Sequence, residues 1–242
     1  MMKRLISQTI APILVISFSL AVSNSPSYGF SQSDLDKLLK TKQCVRCNLT
    51  GVNLTGTLLE YVNLGGANLE NSSLYSVNLQ GANLQGANLQ GTKLQNANLE
   101  GANLKYANFQ NAKLQRVIVQ GADLTGVNFQ SANLDSSILQ GSILQFAKFN
   151  NANLQNVILQ GAILLGANFY RANLQGTVFQ GAILQDANLQ YTNLKDAKLQ
   201  RASLEDSNFQ GANLQNANFQ GANLQGANLT GVKNANLKGA IR

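Results

Sequence analysis

The chain has 242 residues, 12% of them charged, a formal net charge of +7, two Pro, two Cys and neither His nor Trp. Without His it lacks the side chain most used as a general base and as a metal ligand, which argues against an enzyme and against a metal or cofactor site. Sparse charge beside many amides describes a surface that hydrogen-bonds rather than one that works through a strong field.

In chain order, the first predicted element is residues 1–23. Lys3 and Arg4 precede an apolar run from Leu5 to about Val22, with small residues at Ala21 and Ser23. This is the pattern of a secretory signal peptide, cut at Ser23, with Ala21 or Gly29 as other cut sites. A membrane anchor is the competing reading, but Ser7, Gln8, Thr9 and Pro12 interrupt the run, and it falls short of the ~20 apolar residues a span needs. The expectation is therefore an exported protein with no membrane insertion after signal cleavage.

Residues 24–46 read as a linker and a capping helix. Within residues 33–43, Ser33 and Asp36 resemble a capping box, Leu35, Leu38 and Leu39 fall on one face, and Lys37, Lys40 and Lys42 lie toward the C-terminus, where the helix dipole favours cations. Cys44 and Cys47 come next. Two thiols cannot complete the four ligands of a structural zinc site. In an exported protein the pair reads as a structural disulfide joining the cap to the first coil of the repeats, with thiol-disulfide exchange as the alternative.

From residue 47 to residue 231 the chain keeps a five-residue beat. A large apolar residue, the centre, recurs at every fifth position from Leu49 to Leu229, and a small or β-branched residue, most often Ala, sits two before it. On a helix a step of five residues advances by about 140° net, so the centres would define no stripe. On an extended segment the centre and the residue two before it share a face, and the remaining residues must turn a corner. Gly, frequent two after the centre, suits that corner.

Departures from the beat give the size of the turn. Ile118, Ile138, Ile158 and Val178 stand just before a centre at intervals of 20; so do Ile143, Ile163 and Ile183, while Phe109, Phe129, Phe149 and Phe169 replace Leu at centres with the same interval. Four repeats per turn make an all-β solenoid, a square coil stacked at the ~4.8 Å strand spacing into about nine coils and a rod of ~45 Å. After Leu229 the beat breaks, and residues 232–242 read as an irregular C-terminal end that either folds over the last coil or pairs with another copy.

The Ala-Asn-Leu-x-x pattern through residues 47–229 resembles the pentapeptide repeat family. That resemblance implies a right-handed quadrilateral β-helix with Leu and Ala pointing inward. Without His and without a nucleophile beside a placed base, the expected role is non-enzymatic; exported members of the family in photosynthetic bacteria often begin with a short helix and a Cys pair, and the resemblance implies a periplasm or a thylakoid lumen. Quinolone-resistance members imply a second role, a DNA mimic that protects gyrase, and such a mimic needs a strongly negative rod. Between Asn48 and Gly231 nine bases balance nine acids, so neither that role nor nucleic-acid binding is expected.

The seven branched residues Ile118, Ile138, Ile143, Ile158, Ile163, Val178 and Ile183, with Leu165 beside Ile163, point outward on two adjacent sides. Such an apolar cluster marks a contact surface for a protein partner or for a homodimer; the competing reading is β-branched residues that simply suit a sheet.

Overall fold

The computed structural model describes residues 29–242; the expected signal segment, residues 1–23, lies outside them. A repeat with two inward residues and three others can bury the first two only by running extended and then turning. Each pre-centre residue accordingly forms a parallel bridge with the residue 20 positions on, from Gln43–Asn63 to Asn213–Lys233. Four pentapeptides therefore complete each turn of the coil.

Hydrogen-bond accounting explains why five residues suffice. In the repeat centred on Leu79, the Leu79 N–H donates to the Asn98 carbonyl at 2.7 Å, Gly81 N–H to Glu100 at 2.9 Å, Ala82 N–H back to Leu79 at 3.0 Å and Asn83 N–H to Val62 at 2.8 Å. One donor remains, the N–H after the centre. Gln80 N–H gives it to the side-chain Oδ1 of Asn78 at 3.2 Å. Buried or half-buried backbone groups must find partners, and the recurring Asn supplies the acceptor the backbone lacks.

The corner two after each centre is left-handed whichever residue occupies it. Gly126 has φ 66° and Tyr106, one coil earlier, has φ 57°. Glycine becomes obligatory where the preceding coil lays a ring over the corner: a Cβ on Gly126 would sit 2.7 Å from the Tyr106 ring, and one on Gly166 would sit 2.9 Å from Phe146.

Inside, the centres and the small residues form one continuous core along the rod. Phe109, Phe129, Phe149 and Phe169 stack in a single inner column with ring centroids 5.1, 5.3 and 4.8 Å apart, the spacing of the coils themselves. Where a hydroxyl takes the small position it is satisfied internally, as Ser137 Oγ is by the Leu114 carbonyl at 2.7 Å.

At the N-terminal end, helix α1 spans Gln32–Thr41. Its N-cap is Ser31, whose side chain accepts from Asp34 N–H, rather than the expected Ser33, and Asp36 instead accepts from Gln32 Nε2 at 2.9 Å. The stop is Lys42, in a left-handed conformation with its N–H on the Leu38 carbonyl. Leu38 is fully buried, whereas Leu39 is 56% exposed and does not share the inward face. Two bonds tie α1 to the first coil: Ser31 N–H to the Asn48 carbonyl at 2.9 Å, and Asn48 N–H to Asp34 Oδ2 at 2.8 Å.

The cysteines also sit differently from the expectation. Because bridging begins at Gln43, Cys44 already occupies a centre and Cys47 the next small position. Their sulfurs are at bonding distance, 2.09 Å, and the pair spans one corner inside the first coil rather than joining cap to coil. Both are buried, and Cys44 Sγ rests 3.2 Å from the Asp34 carbonyl of α1.

At the other end the tail folds back with two residues fewer than a full turn. Ile241 bridges Asn223, 18 positions away, and Leu224 N–H donates to the Ile241 carbonyl at 2.8 Å. Leu229, Val232 and Leu237 pack against the core from this end but remain partly exposed.

This packing sets the expected response to two perturbations. Phe149→Ala removes the middle of the ring stack and should lower unfolding free energy by about 3–5 kcal/mol in a denaturant titration. Opening Cys44–Cys47 releases a short closed loop worth about 2 kcal/mol, so reductant should lower the thermal midpoint. An unchanged midpoint would show that the bond contributes nothing.

Candidate interaction surface on two adjacent sides

The coil has four sides, numbered in the order the chain visits them from Asn78. Bridges stack Asn98, Ile118, Ile138, Ile158, Val178 and Lys198 down the first side, and Asn103, Asp123, Ile143, Ile163, Ile183 and Ser203 down the second. The structure thus brings the branched residues singled out from the sequence into two unbroken columns on neighbouring sides. The end residues Ile118 and Ile183 are 39% and 38% exposed; the residues between them are partly exposed, shielded by their neighbours above and below.

What these columns give up is as informative as what they present. Elsewhere the pre-centre Asn bonds twice over: Asn83 Oδ1 accepts from Gln85 N–H at 3.2 Å and from Asn103 Nδ2 of the next coil at 3.2 Å. Amide ladders of this kind run along the third side through Asn88, Asn108 and Asn128 and along the fourth through Asn153, Asn173, Asn193 and Asn213. An Ile at the same position can make neither bond. Corner N–H groups such as those of Gln140 and Gln160 then lose their side-chain acceptor, a cost of about 0.5–1.5 kcal/mol each. Packing of β-branched neighbours returns a comparable amount, so the fold gains little from the exchange.

The edge between the two sides is also unusual. Its corners are Gly101, Gly121, Gly141, Gly161 and Gly181 in succession, and a Cβ at any of them would meet nothing within 4 Å. Crowding does not demand glycine there, and other corners with the same backbone carry Asn111, Arg116 or Ser131. The run of glycines keeps the edge low, with the exposed Glu100, Gln120, Gln140, Gln160 and Gln180 along it.

Sequence reasoning missed one member of the surface. Phe146 stands at the corner between the second and third sides, 59% exposed, with its N–H on the Leu165 carbonyl at 2.9 Å and its ring over Gly166. Its signal was weak: corner positions also carry Tyr61, Tyr106 and Tyr191, so Phe146 differs from them only in lacking a hydroxyl. Phe146 and Leu165 carry the apolar surface from Ile143 and Ile163 around that corner.

Charge borders the surface without entering it. Lys198 stacks below Val178 at the foot of the first side. At the head of the second, Lys105 Nζ pairs with Asp123 at 3.0 Å, one of two ion pairs among the described residues. Partial burial would raise the Asp123 carboxyl, but the Thr125 hydroxyl at 2.7 Å, the Thr125 N–H at 3.1 Å and Lys105 together hold it below its ordinary value. Among the described residues no group of three or more Cys, Asp or Glu is placed to hold a metal ion, and no helix is long and apolar enough to cross a membrane.

A lowered carboxylate pKa stabilises the fold above the unfolded value of about 3.9 and loses that contribution as pH falls through the folded one. The thermal midpoint of the protein should therefore exceed that of Asp123→Asn at pH 7, and the gap should close as the pH is taken below about 4. A gap that persisted in acid would place the effect outside the carboxylate's charge.

The repeat and its coil have counterparts among known proteins. A family profile described as pentapeptide repeats (8 copies) matches residues 47–86, 82–121 and 122–161, and one described as pentapeptide repeat region matches residues 152–229. Among solved structures the chain is similar to HetL, a pentapeptide repeat protein involved in heterocyst differentiation regulation from the cyanobacterium Nostoc sp. strain PCC 7120. Identity is 30% over 78% of this chain and 90% of that one, with a TM-score of 0.33. It is also similar to a trypsin-treated form of QnrB1, a plasmid-mediated fluoroquinolone resistance protein, at 22% identity over 76% and 91% of the two chains, TM-score 0.45. A pentapeptide repeat protein from the Arabidopsis thaliana thylakoid lumen is similar at 29% identity over 40% and 65%, TM-score 0.22. Among curated proteins none matches.

Proposed function

We propose, from the premise that the chain belongs to the pentapeptide repeat family, that it is a non-enzymatic exported interaction module. In this reading it is a right-handed quadrilateral rod of about nine coils stacked at ~4.8 Å, closed at its N-terminal end by α1. The rod docks on another protein through its first and second sides, in a periplasm or a thylakoid lumen.

The observation that carries the reading is the exchange of Asn for Ile. Two adjacent columns go without the amide ladder that runs along the third and fourth sides and, up to Asn103, along the second, and they do so beside a glycine edge that crowding does not require. A protein selects such an exchange when the exposed apolar area is used for contact. Export is supported by the signal-like residues 1–23 and by a Cys pair at bonding distance, which oxidising compartments maintain.

Other roles fit less well. A DNA mimic needs a negative rod, and the repeat body carries balanced charge. Thiol-disulfide exchange needs an accessible thiolate, and Cys44 and Cys47 are both buried at the foot of α1.

The test is affinity capture from the exported compartment with the intact rod beside two double variants, Ile138→Asn with Ile158→Asn, and Ile143→Asn with Ile163→Asn. Asn is the residue these columns already hold at Asn98 and Asn103, so each variant should keep its unfolding free energy within about 1 kcal/mol. A partner retained by the rod and lost from at least one variant is the expected result. Retention unaffected by both would end the proposal.

A further inference from the structure

The proposed contact surface has a periodicity that narrows what can cover it. On the first side Ile118, Ile138, Ile158 and Val178 are joined rung to rung by parallel bridges, so their side chains recur at the ~4.8 Å spacing of stacked strands. A surface that interdigitates with them must repeat at the same distance. A helix offers knobs every ~5.4 Å and slips by about 2 Å over three steps. An extended strand laid along the rod repeats its face every ~6.7 Å and slips faster still. A second stack of β-coils stays in step, and the nearest source of one is a second copy of this chain.

Resting on the reading of these columns as a contact surface, we infer that two copies associate side by side through their first sides, antiparallel, with the Ile columns staggered by half a rung. Symmetry chooses the orientation. A two-fold axis along the rod would set each Ile opposite itself, knob against knob. A two-fold axis across the rod, passing a quarter of a rung (~1.2 Å) from Ile138 on the Ile158 side, offsets the two columns by half a rung and allows one to settle into the gaps of the other, the dry interdigitation of paired sheets.

Charge and area agree with this arrangement. From Asn98 to Val178 the first-side column holds no charged residue, so pairing two copies buries no ion in that stretch, whereas Lys148 interrupts the third side and Lys93 and Lys113 the fourth. One side of a rod ~45 Å long and roughly 10 Å wide offers about 450 Å², near 900 Å² for the pair, below the ~1,200–2,000 Å² of stable complexes. The dimer is accordingly weak and concentration-dependent. It leaves the second side, with Ile143, Ile163 and Phe146, open to a different protein.

Sedimentation equilibrium of the purified chain over a wide concentration range tests this without any partner. The expected result is a mass that rises from one copy toward two. Ile138→Asn with Ile158→Asn should weaken the dissociation constant at least about tenfold. Ile143→Asn with Ile163→Asn, on the neighbouring side, and Leu237→Asn, at the C-terminal end, should leave it unchanged. A single-copy mass at every concentration overturns the inference. So does a dimer that survives the first-side variant or dissolves with Leu237→Asn, since either places the contact elsewhere. Capture of another protein by a rod that stays monomeric would uphold the proposed function while refuting this dimer.

Discussion

One backbone donor per repeat has no backbone acceptor, and the structure is built around supplying it. Within each pentapeptide four N–H groups bond along the ladder or across the corner, and the fifth, just after the centre, must look to a side chain. An Asn just before the centre reaches it, and its remaining amide group reaches the Asn of the adjoining coil. The same residue thus closes its own turn and welds it to the next. Because a buried or half-buried donor without a partner is costly, every position that is not Asn is a choice with a consequence.

The sides of the rod therefore differ in kind. The third and fourth sides are largely amide ladders, polar and self-satisfied, with isolated Lys residues and little that would hold a partner. The first and second sides surrender those bonds over successive rungs in favour of branched apolar groups, and the edge between them is lowered to glycine. Stability in a stacked coil accrues from nearest neighbours, so a stretch of several rungs can forgo side-chain bonding without unravelling. That tolerance lets a solenoid devote part of its surface to contact while the core, including the Phe column, holds the shape.

The two ends solve the problem of unpaired coils unequally. At the N-terminal end α1 lays Leu38 over the core, takes bonds from the first coil through Asp34, and covers a disulfide that spans a corner. At the C-terminal end a shortened turn brings Ile241 onto Asn223 but leaves Leu229, Val232 and Leu237 partly exposed. Open edges of stacked strands invite further pairing, so the second end is the less protected of the two.

The sequence by itself determined the repeat, the inward and outward positions, the 20-residue turn and the two apolar columns, because a strict five-residue beat maps each residue to one place on a coil. It could not determine features set by contacts between distant residues. The cap began at Ser31 rather than Ser33 because Ser31 and Asp34 are fixed by bonds to Asn48, which lies 17 residues beyond Ser31 in sequence. Cys44 joined the first coil because its N–H finds the Asn63 carbonyl on the coil below. Phe146 became part of the surface because its N–H bonds the Leu165 carbonyl on the next coil and its ring lies over Gly166. In each case local pattern left several geometries open, and only a partner one coil away selected among them.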